Sequence, residues 1–235
     1  MDPQQAQTAK TFDSYKDTYS EAVDAAVSFT GLSADFFTKV KASYISDIVN
    51  AHFSDGAALS ALDIGCGVGN YHALLTPMFN ALAGVDVSNA CVEMARQRNS
   101  SVNYKVYDGR TLPYENASFD VAFTICVMHH VPPSQWENFA REMRRILKPG
   151  GLALVFEHNP RNPLTMRAVS SCPFDEDAVL LRSEETEGLF RNAGFNSVSS
   201  RFILSIPPAN AFLRRIDRLF AGVPFGGQYY VAATA

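Results

Sequence analysis

The chain has 235 residues, of which 47% are hydrophobic and 19% charged, and its formal net charge at pH 7 is −4. This balance excludes general disorder and favours one large domain with a small extension over two full domains. A weakly acidic chain does not offer a broad electrostatic surface for nucleic acid, so we expect no nucleic-acid partner. No apolar run approaches the ~20 residues that cross a bilayer, so we expect no membrane partner.

The cysteines and the N-terminus bear on location and metal binding. The four cysteines are far apart and form no CxxC pair: Cys66, Cys91, Cys126 and Cys172. Each lies among apolar or small residues, which is typical of reduced thiols in the cytosol. Residues 1–10 are polar and do not resemble a secretory signal. We therefore predict a cytoplasmic protein, and the spacing of potential ligands predicts no metal site.

Two amphipathic helices are predicted ahead of the first strand. Their apolar residues recur four apart, at Tyr15, Tyr19, Val23 and Val27 in the first and at Phe36, Val40, Tyr44 and Ile48 in the second. Ser33 is suited to be the N-cap of the second helix. We predict that residues 1–52 form a helical lid or cover and that residues 53–235 form the main domain.

From residue 59 the pattern alternates between strands and helices. The predicted strands are Leu59–Ile64, Leu82–Val87, Val102–Tyr107, Phe119–Ile125 and Leu152–Glu157, and the predicted helices are Tyr71–Phe79, Ala90–Arg98 and Ser134–Leu147. Strands that are apolar almost throughout and separated by helices indicate a parallel sheet covered on both faces. The predicted fold class is α/β, doubly wound.

Local signals mark the ends of the third of these helices and the character of the tail. Ser134 and Glu137 have the spacing of a capping box, and Pro149 with two following glycines predicts a stop. The tail is predicted as helix Ser183–Ala193, strand Ser197–Leu204, helix Ala209–Phe220 and strand Gln228–Thr234. Two strands close together at the end are suited to an antiparallel pair at one edge of the sheet.

The most specific motif is LDIGCGVGN, residues 62–70, at the junction between the first strand and the next helix. Gly65, Gly67 and Gly69 let the backbone turn tightly and approach a ligand, and the helix start offers free N–H groups. The spacing G-x-G-x-G departs from the G-x-G-x-x-G fingerprint of dinucleotide sites. A nicotinamide oxidoreductase is therefore disfavoured.

Two acidic residues follow later strands. Asp86 ends the second strand 21 residues after Gly65, where a carboxylate can accept hydrogen bonds from both ribose hydroxyls. Ser88 is better placed than Asp86 to cap the next helix. Asp108, followed by Gly109, ends the third strand; it either accepts a bond from an adenine amino group or is a plain turn aspartate.

Together with GVDVS, YDGRTLPYENASFDVAFTICVMHHVPP and ILKPGG, these motifs resemble the class I S-adenosylmethionine-dependent methyltransferases of the small-molecule type 11/25 kind. The resemblance spans residues 58–157. It implies a seven-stranded sheet of order 3-2-1-4-5-7-6 with an antiparallel last strand, and S-adenosylmethionine as the cofactor, with S-adenosylhomocysteine as its product. The residues it implies for cofactor binding are Tyr19, Asp63, Gly65, Gly67, Gly69, Asp86, Val87, Asp108, Gly109 and Ile125.

The resemblance also implies a role for most of these residues. The three glycines would face the methionine part, Asp86 would hold the ribose, and Asp108 with Gly109 would contact adenine. Ile125 would lie beneath the sulfonium and Asp63 would reach the amino group. An aromatic residue at the position of Tyr19 often closes over the cofactor in such enzymes, although a helix that only packs on the sheet explains the same pattern.

The acceptor should lie beyond the carboxyl ends of the strands. Methyl transfer from a sulfonium mainly needs alignment, but a hydroxyl acceptor benefits from a base, and histidine is the usual one near neutral pH. His129 and His130 follow the fourth strand and His158 the fifth. These three are the candidate catalytic residues, a structural role for His130 being equally compatible, and Glu157 could orient a histidine.

The stretch from residue 157 to 175 is a polar, proline-rich insert, and loops of this kind often carry specificity. Residues there that could read a polyhydroxyl or anionic acceptor are Asn159, Arg161, Asn162 and Arg167, unless the insert is an ordinary crossover. A grouping of Arg201, Arg214, Arg215 and Arg218 is explained more simply by solvation or packing than by RNA.

The sequence predicts methylation of a small polar metabolite, most readily at oxygen. N- or C-methylation of a similar acceptor and a non-catalytic protein that binds the cofactor are the alternatives. A monomer or homodimer is expected.

Overall fold

The computed structural model describes residues 3–54 and 58–235. The strands are β1 (Ser60–Ile64), β2 (Ala81–Asp86), β3 (Asn103–Val106), β4 (Phe119–Ile125), β5 (Leu147–His158), β6 (Asn196–Ile203) and β7 (Gln228–Thr234). The α-helices are α1 (Pro3–Tyr15), α2 (Tyr19–Val27), α3 (Ala34–His52), α4 (His72–Leu75), α5 (Asn89–Arg98), α6 (Trp136–Ile146), α7 (Pro163–Ser171), α8 (Ser183–Asn192) and α9 (Ala211–Asp217). Short 3₁₀ turns follow or precede several of them.

The seven strands form one sheet of order β3-β2-β1-β4-β5-β7-β6. β1 to β5 are parallel to one another, and β7 is antiparallel to both of its neighbours, β5 and β6. This is the predicted doubly wound α/β sheet, so the fold class and the strand order are confirmed. The carboxyl ends of β1, β2, β4 and β5 meet at one edge, which is where ligands bind in such sheets.

The sheet is buried on both faces, as the apolar strands predicted. On one face Leu62 and Ile64 pack with α6 and α8, whereas on the other Phe123 and Phe156 pack with α3 and α5. Because each face is covered by helices, the strands carry few polar side chains toward the core. Polar groups that are buried at the carboxyl ends of the strands are therefore candidates for the functional site.

Several local predictions were wrong. Pro77 interrupts the predicted helix Tyr71–Phe79, since a proline cannot extend a helix, and α4 gives way to a 3₁₀ turn there. The capping box at Ser134 does not form, because residues 133–135 are a 3₁₀ turn and α6 begins at Trp136 without a side-chain cap. β5 begins at Leu147, so the chain enters the strand before the predicted proline–glycine stop.

The N-terminal region also differs from its prediction. The polar residues at the start of the chain are helical and belong to α1. The helix ends at Tyr15, and α2 begins at Tyr19 after a turn. Ser33 caps α3, as predicted, by accepting a hydrogen bond from the N–H of Phe36. An apolar cluster joins these helices to the insert after β5: it is formed by Ala26, Cys172 and Phe174, with Phe12, Tyr15 and Tyr19 packed against it.

Within the described residues no helix has the length and apolar character needed to cross a membrane. All four cysteines are free thiols.

Candidate functional site

A cavity of about 570 Å³ opens at the carboxyl ends of the strands, a volume typical of a small-molecule site. Seven of the residues predicted to bind the cofactor line it: Tyr19, Asp63, Gly65, Gly67, Asp86, Val87 and Ile125. The three candidate catalytic histidines, His129, His130 and His158, line the same cavity. The structure thus brings most of both predicted groups together in one space.

The glycine loop is held between β1 and β2. The N–H groups of Gly65 and Cys66 both donate to the carbonyl of Val85, 2.8 and 3.0 Å away. Gly67 has φ 51°, and a Cβ there would meet no atom within 4 Å, so its backbone borders open space. Gly69 differs: a Cβ there would lie 2.8 Å from side-chain atoms of Asn99 and Tyr104. Its role is close packing of the loop, and it does not line the cavity.

Asp86 is buried beside this loop. One carboxylate oxygen accepts from the N–H of Gly67 at 2.8 Å and the other from the N–H of Ser88 at 2.8 Å. Burial raises the pKa of Asp86 to about 6, and the hydrogen bonds from Ser88 and Gly67 only partly oppose this rise. Ser88 in turn caps α5 by accepting from the N–H of Cys91, as predicted.

Asp108 takes the turn role that the sequence left open. Its side chain is exposed and accepts hydrogen bonds from the N–H groups of Arg110 and Thr111, both at 2.9 Å. Neither Asp108 nor Gly109 lines the cavity among the described residues. Instead Gln5 of α1 donates from Nε2 to the carbonyl of Gly109 at 2.9 Å and to Oε1 of Gln135 at 2.8 Å. An N-terminal residue therefore lies where the sequence placed an adenine contact.

Asp63 is also buried, and its Oδ2 lies 3.0 Å from Nε2 of His72, whose other ring nitrogen contacts the hydroxyl of Tyr104. Burial raises the pKa of Asp63, and His72 opposes this rise. The sequence reading missed His72, because a histidine at a helix start has no spacing that marks it. Asp63 lines the cavity while holding this network, so it faces both the ligand space and the core.

A buried lysine was also missed. Lys41 on α3 is 6% exposed, and its Nζ lies 3.6 Å from Sγ of Cys126, which follows β4. Burial would raise the pKa of the Cys126 thiol, but the charges of Lys41 and His158 outweigh it and lower that pKa to about 7. The signal in the sequence was the spacing, since Lys41 shares the apolar face of its helix with Ile45 and Ile48.

A network of histidines and carboxylates lies at the carboxyl ends of β4 and β5, which we call the acceptor end of the cavity because the sequence predicted the methyl acceptor there. Glu157, at the end of β5, is fully buried; its Oε1 accepts from the N–H groups of Val127 and Met128, and its Oε2 lies 2.5 Å from Nδ1 of His129. The other ring nitrogen of His129, Nε2, has no hydrogen-bond partner among the described residues. It lies 3.7 Å from Oδ1 of Asp175, which is too long for a hydrogen bond.

The pKa values in this network shift in opposite directions. Burial would lower the pKa of His129, but Glu157 and Asp175 outweigh it and hold that pKa well above its usual range. Burial would raise the pKa values of Glu157 and Asp175, but the neighbouring histidines outweigh burial and lower both pKa values. Burial and the charge of His129 lower the pKa of His130 to about 4. His130 lies 3.3 Å from Oδ1 of Asp175 and packs edge-on against Phe12.

The insert after β5 is a structured crossover more than a polar recognition loop. Asn159 donates to the carbonyls of Pro224 and Gly226, Arg161 pairs with Glu184, and Arg167 lies over the ring of Phe29. Asn162 caps α7, and it is the one of the four proposed acceptor-reading residues that lines the cavity. Arg214 and Arg218 both pair with Asp47, which supports packing over RNA binding.

Comparison with known proteins identifies the family. Residues 62–155 match a family model described as a methyltransferase domain. Squalene methyltransferase 1 of Botryococcus braunii is 27% identical over 64% of this chain and 43% of its own length. A tRNA (carboxymethyluridine(34)-5-O)-methyltransferase of Saccharomyces cerevisiae is 36% identical over 40% of this chain and 34% of its own length. The chain carries a class I S-adenosylmethionine-dependent methyltransferase domain.

The methyltransferase fold extends over nearly the whole chain. A Thermotoga maritima structure described as an S-adenosylmethionine-dependent methyltransferase, possibly a histamine N-methyltransferase, superposes with a TM-score of 0.66 at 20% identity. The match covers 95% of this chain and 97% of that one. S-adenosylmethionine, predicted from the sequence, is the cofactor of this family. This chain spans less than half the length of the two curated relatives, and the acceptors in the three names differ in class.

The residues of the methyltransferase cavity fit this cofactor. The donors and acceptors suit its parts: Asp86 presents a buried carboxylate for hydroxyl groups, and the backbone at Gly67 is open to close approach. Carboxylate oxygens have two lone pairs each, so both oxygens of Asp86 can accept further bonds. Ile125 adds an apolar side chain to the lining of the same cavity.

Proposed function

We propose that this chain transfers the methyl group of S-adenosylmethionine to a hydroxyl group of a small molecule. The observation that supports oxygen as the acceptor atom is the unpartnered Nε2 of His129, a residue that lines the same cavity as the glycine loop. When bound, S-adenosylmethionine supplies a methyl group on a positively charged sulfur, which needs no further activation. The protein then has to bind both reactants, align them and accept the proton of the hydroxyl group.

We assign cofactor binding to the loop side of the cavity. Gly65 and Gly67 border the part of the cavity for the methionine portion, and Asp86 accepts hydrogen bonds from the ribose hydroxyls. Ile125 and Val87 provide apolar contacts, and Tyr19 closes the cavity from α2, where its ring stacks on Phe174 with centroids 5.0 Å apart. Gly69 supports the loop by packing, and Asp108 with Gly109 shapes the turn after β3.

We assign the proton-accepting role to His129. Glu157 fixes its ring through Nδ1, so that Nε2 points away from the carboxylate and can take a proton from the acceptor hydroxyl. Glu157 and Asp175 stabilise the imidazolium that results. The same two carboxylates favour the protonated ring before the reaction, so the base form of His129 is scarce at neutral pH. His130 is a structural residue in this proposal, and His158 borders the acceptor.

The walls of the cavity suggest the body of the acceptor. The side chains that line the cavity are largely apolar and include Val23, Val27, Leu164, Val169 and Ile206. Of the polar insert residues expected to read a sugar-like acceptor, three hold the fold together instead. We therefore propose an acceptor with a hydroxyl group on a largely apolar body, in place of the polyhydroxyl acceptor that the sequence favoured.

Matched sets of acceptors test this function. Each set offers the same apolar body with a hydroxyl group, an amino group or hydrogen at one position, and a sugar series serves as the polar comparison. With methyl-deuterated cofactor, the hydroxyl members should yield a labelled methyl ether and S-adenosylhomocysteine. Labelled amines alone would indicate N-methylation. Cofactor binding with no labelled product in any set would support the non-catalytic alternative.

We further propose that residues 1–52 act as a lid over the cofactor, as their apolar stripe predicted. α1 reaches the sheet domain through Gln5, through Asp13, whose Oδ1 accepts from Ser88 at 2.5 Å, and through Phe12 against His130. Each of these contacts lies next to the proposed cofactor or acceptor position. Closure over a bound ligand would exclude water from it.

Hydrogen exchange tests the lid. Amides of residues 3–27 should exchange more slowly when S-adenosylhomocysteine is bound, because the ligand adds contacts that hold this segment against the sheet domain. Helix α8, on the other side of the molecule, is the internal control and should be unaffected. Equal slowing in both helices would indicate general stabilisation, and no slowing in α1 and α2 would contradict a lid. A cytoplasmic location and a monomeric or homodimeric state stay predictions from the sequence.

A further inference from the structure

Three side chains at the acceptor end have the composition of a transition-metal site. His129, His158 and Asp175 each offer one ligand atom, and these atoms all lie within 4.8 Å of one another. The three residues come from the segment after β4, the end of β5 and the insert before α8. Two imidazoles and one carboxylate are ligands that Mn²⁺, Fe²⁺, Co²⁺ and Zn²⁺ accept.

The spacing agrees with a shared ion. Metal–ligand bonds of roughly 2.0–2.2 Å place two ligands of one ion roughly 3–4 Å apart. Nε2 of His129 lies 3.7 Å from Oδ1 of Asp175, within that range and beyond hydrogen-bond distance. His129 is 1% exposed, and its Nε2 has no partner among the described residues. A buried ring nitrogen without a partner is costly, and an ion between these two atoms would satisfy it.

The groups behind the ligands have the arrangement found around metal sites. Metal-bound histidines usually donate their second ring nitrogen to a carboxylate, which fixes the ring and raises its basicity. Nδ1 of His129 has such a partner in Glu157, itself held by two backbone N–H groups. Nε2 of His130 lies 3.3 Å from Asp175 Oδ1, and the amide of Gln228 lies 3.4 Å from Nδ1 of His158. His129 thus has the carboxylate partner typical of a metal-bound histidine, and Asp175 and His158 each have a polar neighbour.

The charges point the same way. Glu157 and Asp175 place two carboxylates in a region from which water is largely excluded, and buried charges need compensation. A divalent cation beside them would balance both.

We propose that His129, His158 and Asp175 bind a divalent transition-metal ion at the acceptor end of the cavity. The site stands independently of the reaction, but its effect on the acceptor rests on the proposed function. With the ion on Nε2, His129 no longer takes the proton itself. The acceptor oxygen binds the ion, which lowers the pKa of its hydroxyl group, and the proton leaves to solvent. The oxygen lone pair then forms the bond to the methyl carbon as the carbon–sulfur bond breaks.

Cobalt titration tests the site directly. Untagged full-length protein, freed of metal by chelator dialysis, should take up one Co²⁺ per chain with visible absorption bands of histidine and carboxylate ligation. His158→Ala and Asp175→Asn should each weaken Co²⁺ binding by at least about 10–100-fold, and Glu157→Gln by about 10–100-fold. His52→Ala, at a histidine on α3 outside the cavity, is the matched control and should bind Co²⁺ like the wild type.

The outcomes separate the site from the function. Each variant is first checked for S-adenosylhomocysteine binding, which uses the glycine loop and reports a folded protein; should one variant fail to fold, the other ligand variant decides. Wild-type protein that binds the product but no Co²⁺, or ligand variants that bind Co²⁺ unchanged, would overturn the site. Methyl ether formation by metal-free protein would leave the function standing without the ion. Co²⁺ binding without turnover of any acceptor would leave the metal site standing and contradict the proposed function.

Discussion

Replacing His129 with alanine should lower the single-turnover rate of methyl transfer to a hydroxyl acceptor by about 10²–10⁴-fold. His129 accepts the proton in the proposed function and binds the ion in the further proposal, so its loss removes the activation of the hydroxyl group in either case. Affinity for S-adenosylhomocysteine should be nearly unchanged, because we assign cofactor binding to the glycine loop and Asp86 and not to His129. Rapid-quench measurement of labelled ether under saturating cofactor separates the chemical step from product release.

His130→Ala is the matched control, since it removes the neighbouring imidazole from the same 3₁₀ turn. His130 packs on Phe12 and has a pKa of about 4, too low for an efficient base near neutral pH. This variant should lose about 1–3 kcal/mol of unfolding free energy with its polar contact, while turnover per folded molecule changes little. If His129→Ala retained wild-type single turnover, alignment alone would explain catalysis and an amine acceptor would be favoured.

The sheet could be read from the sequence because its strands are apolar on both faces. Burial on two sides leaves a mostly apolar run of residues in each of β1, β2, β4 and β5, and helices separate most of these runs. The glycine loop and Asp86 could be read for a different reason. They lie close together in sequence order around β1 and β2, so their relationship is expressed in spacing.

The acceptor end could not be read in this way, because its members come from distant segments. Lys41 meets Cys126 across 85 positions and Asp175 meets His129 across 46, so no spacing rule relates them. Only the parallel sheet and the crossover after β5 bring them together. The same limit explains the wrong expectation for the insert: Arg161 and Arg167 look free in sequence, whereas their partners Glu184 and Phe29 are far along the chain.

Asp86→Asn should weaken S-adenosylhomocysteine binding by about 1–3 kcal/mol at pH 7.5, the scale of hydrogen bonds to a charged group. The substitution should also abolish the pH dependence of the affinity that the wild type shows. The pKa of Asp86 is about 6 in the ligand-free protein, so the carboxylate that accepts the ribose hydroxyls is protonated in most molecules at pH 5. Wild-type affinity should therefore be about tenfold weaker at pH 5 than at pH 7.5, whereas the variant should show little change.

Asp108→Asn is the matched control, because it makes the same substitution at an exposed turn outside the cavity. It should bind the product with wild-type affinity and keep the wild-type pH dependence; loss of affinity there would restore an adenine role for Asp108. Acid unfolding caused by protonation of Asp86 would not explain weaker binding at pH 5. The folded-state pKa of Asp86 is raised above its unfolded value, so protonation of this group between pH 6 and pH 4 favours the folded state. Weaker binding at pH 5 in calorimetry, with NAD as the non-binding comparison, would thus report the loss of a charged acceptor at the ribose.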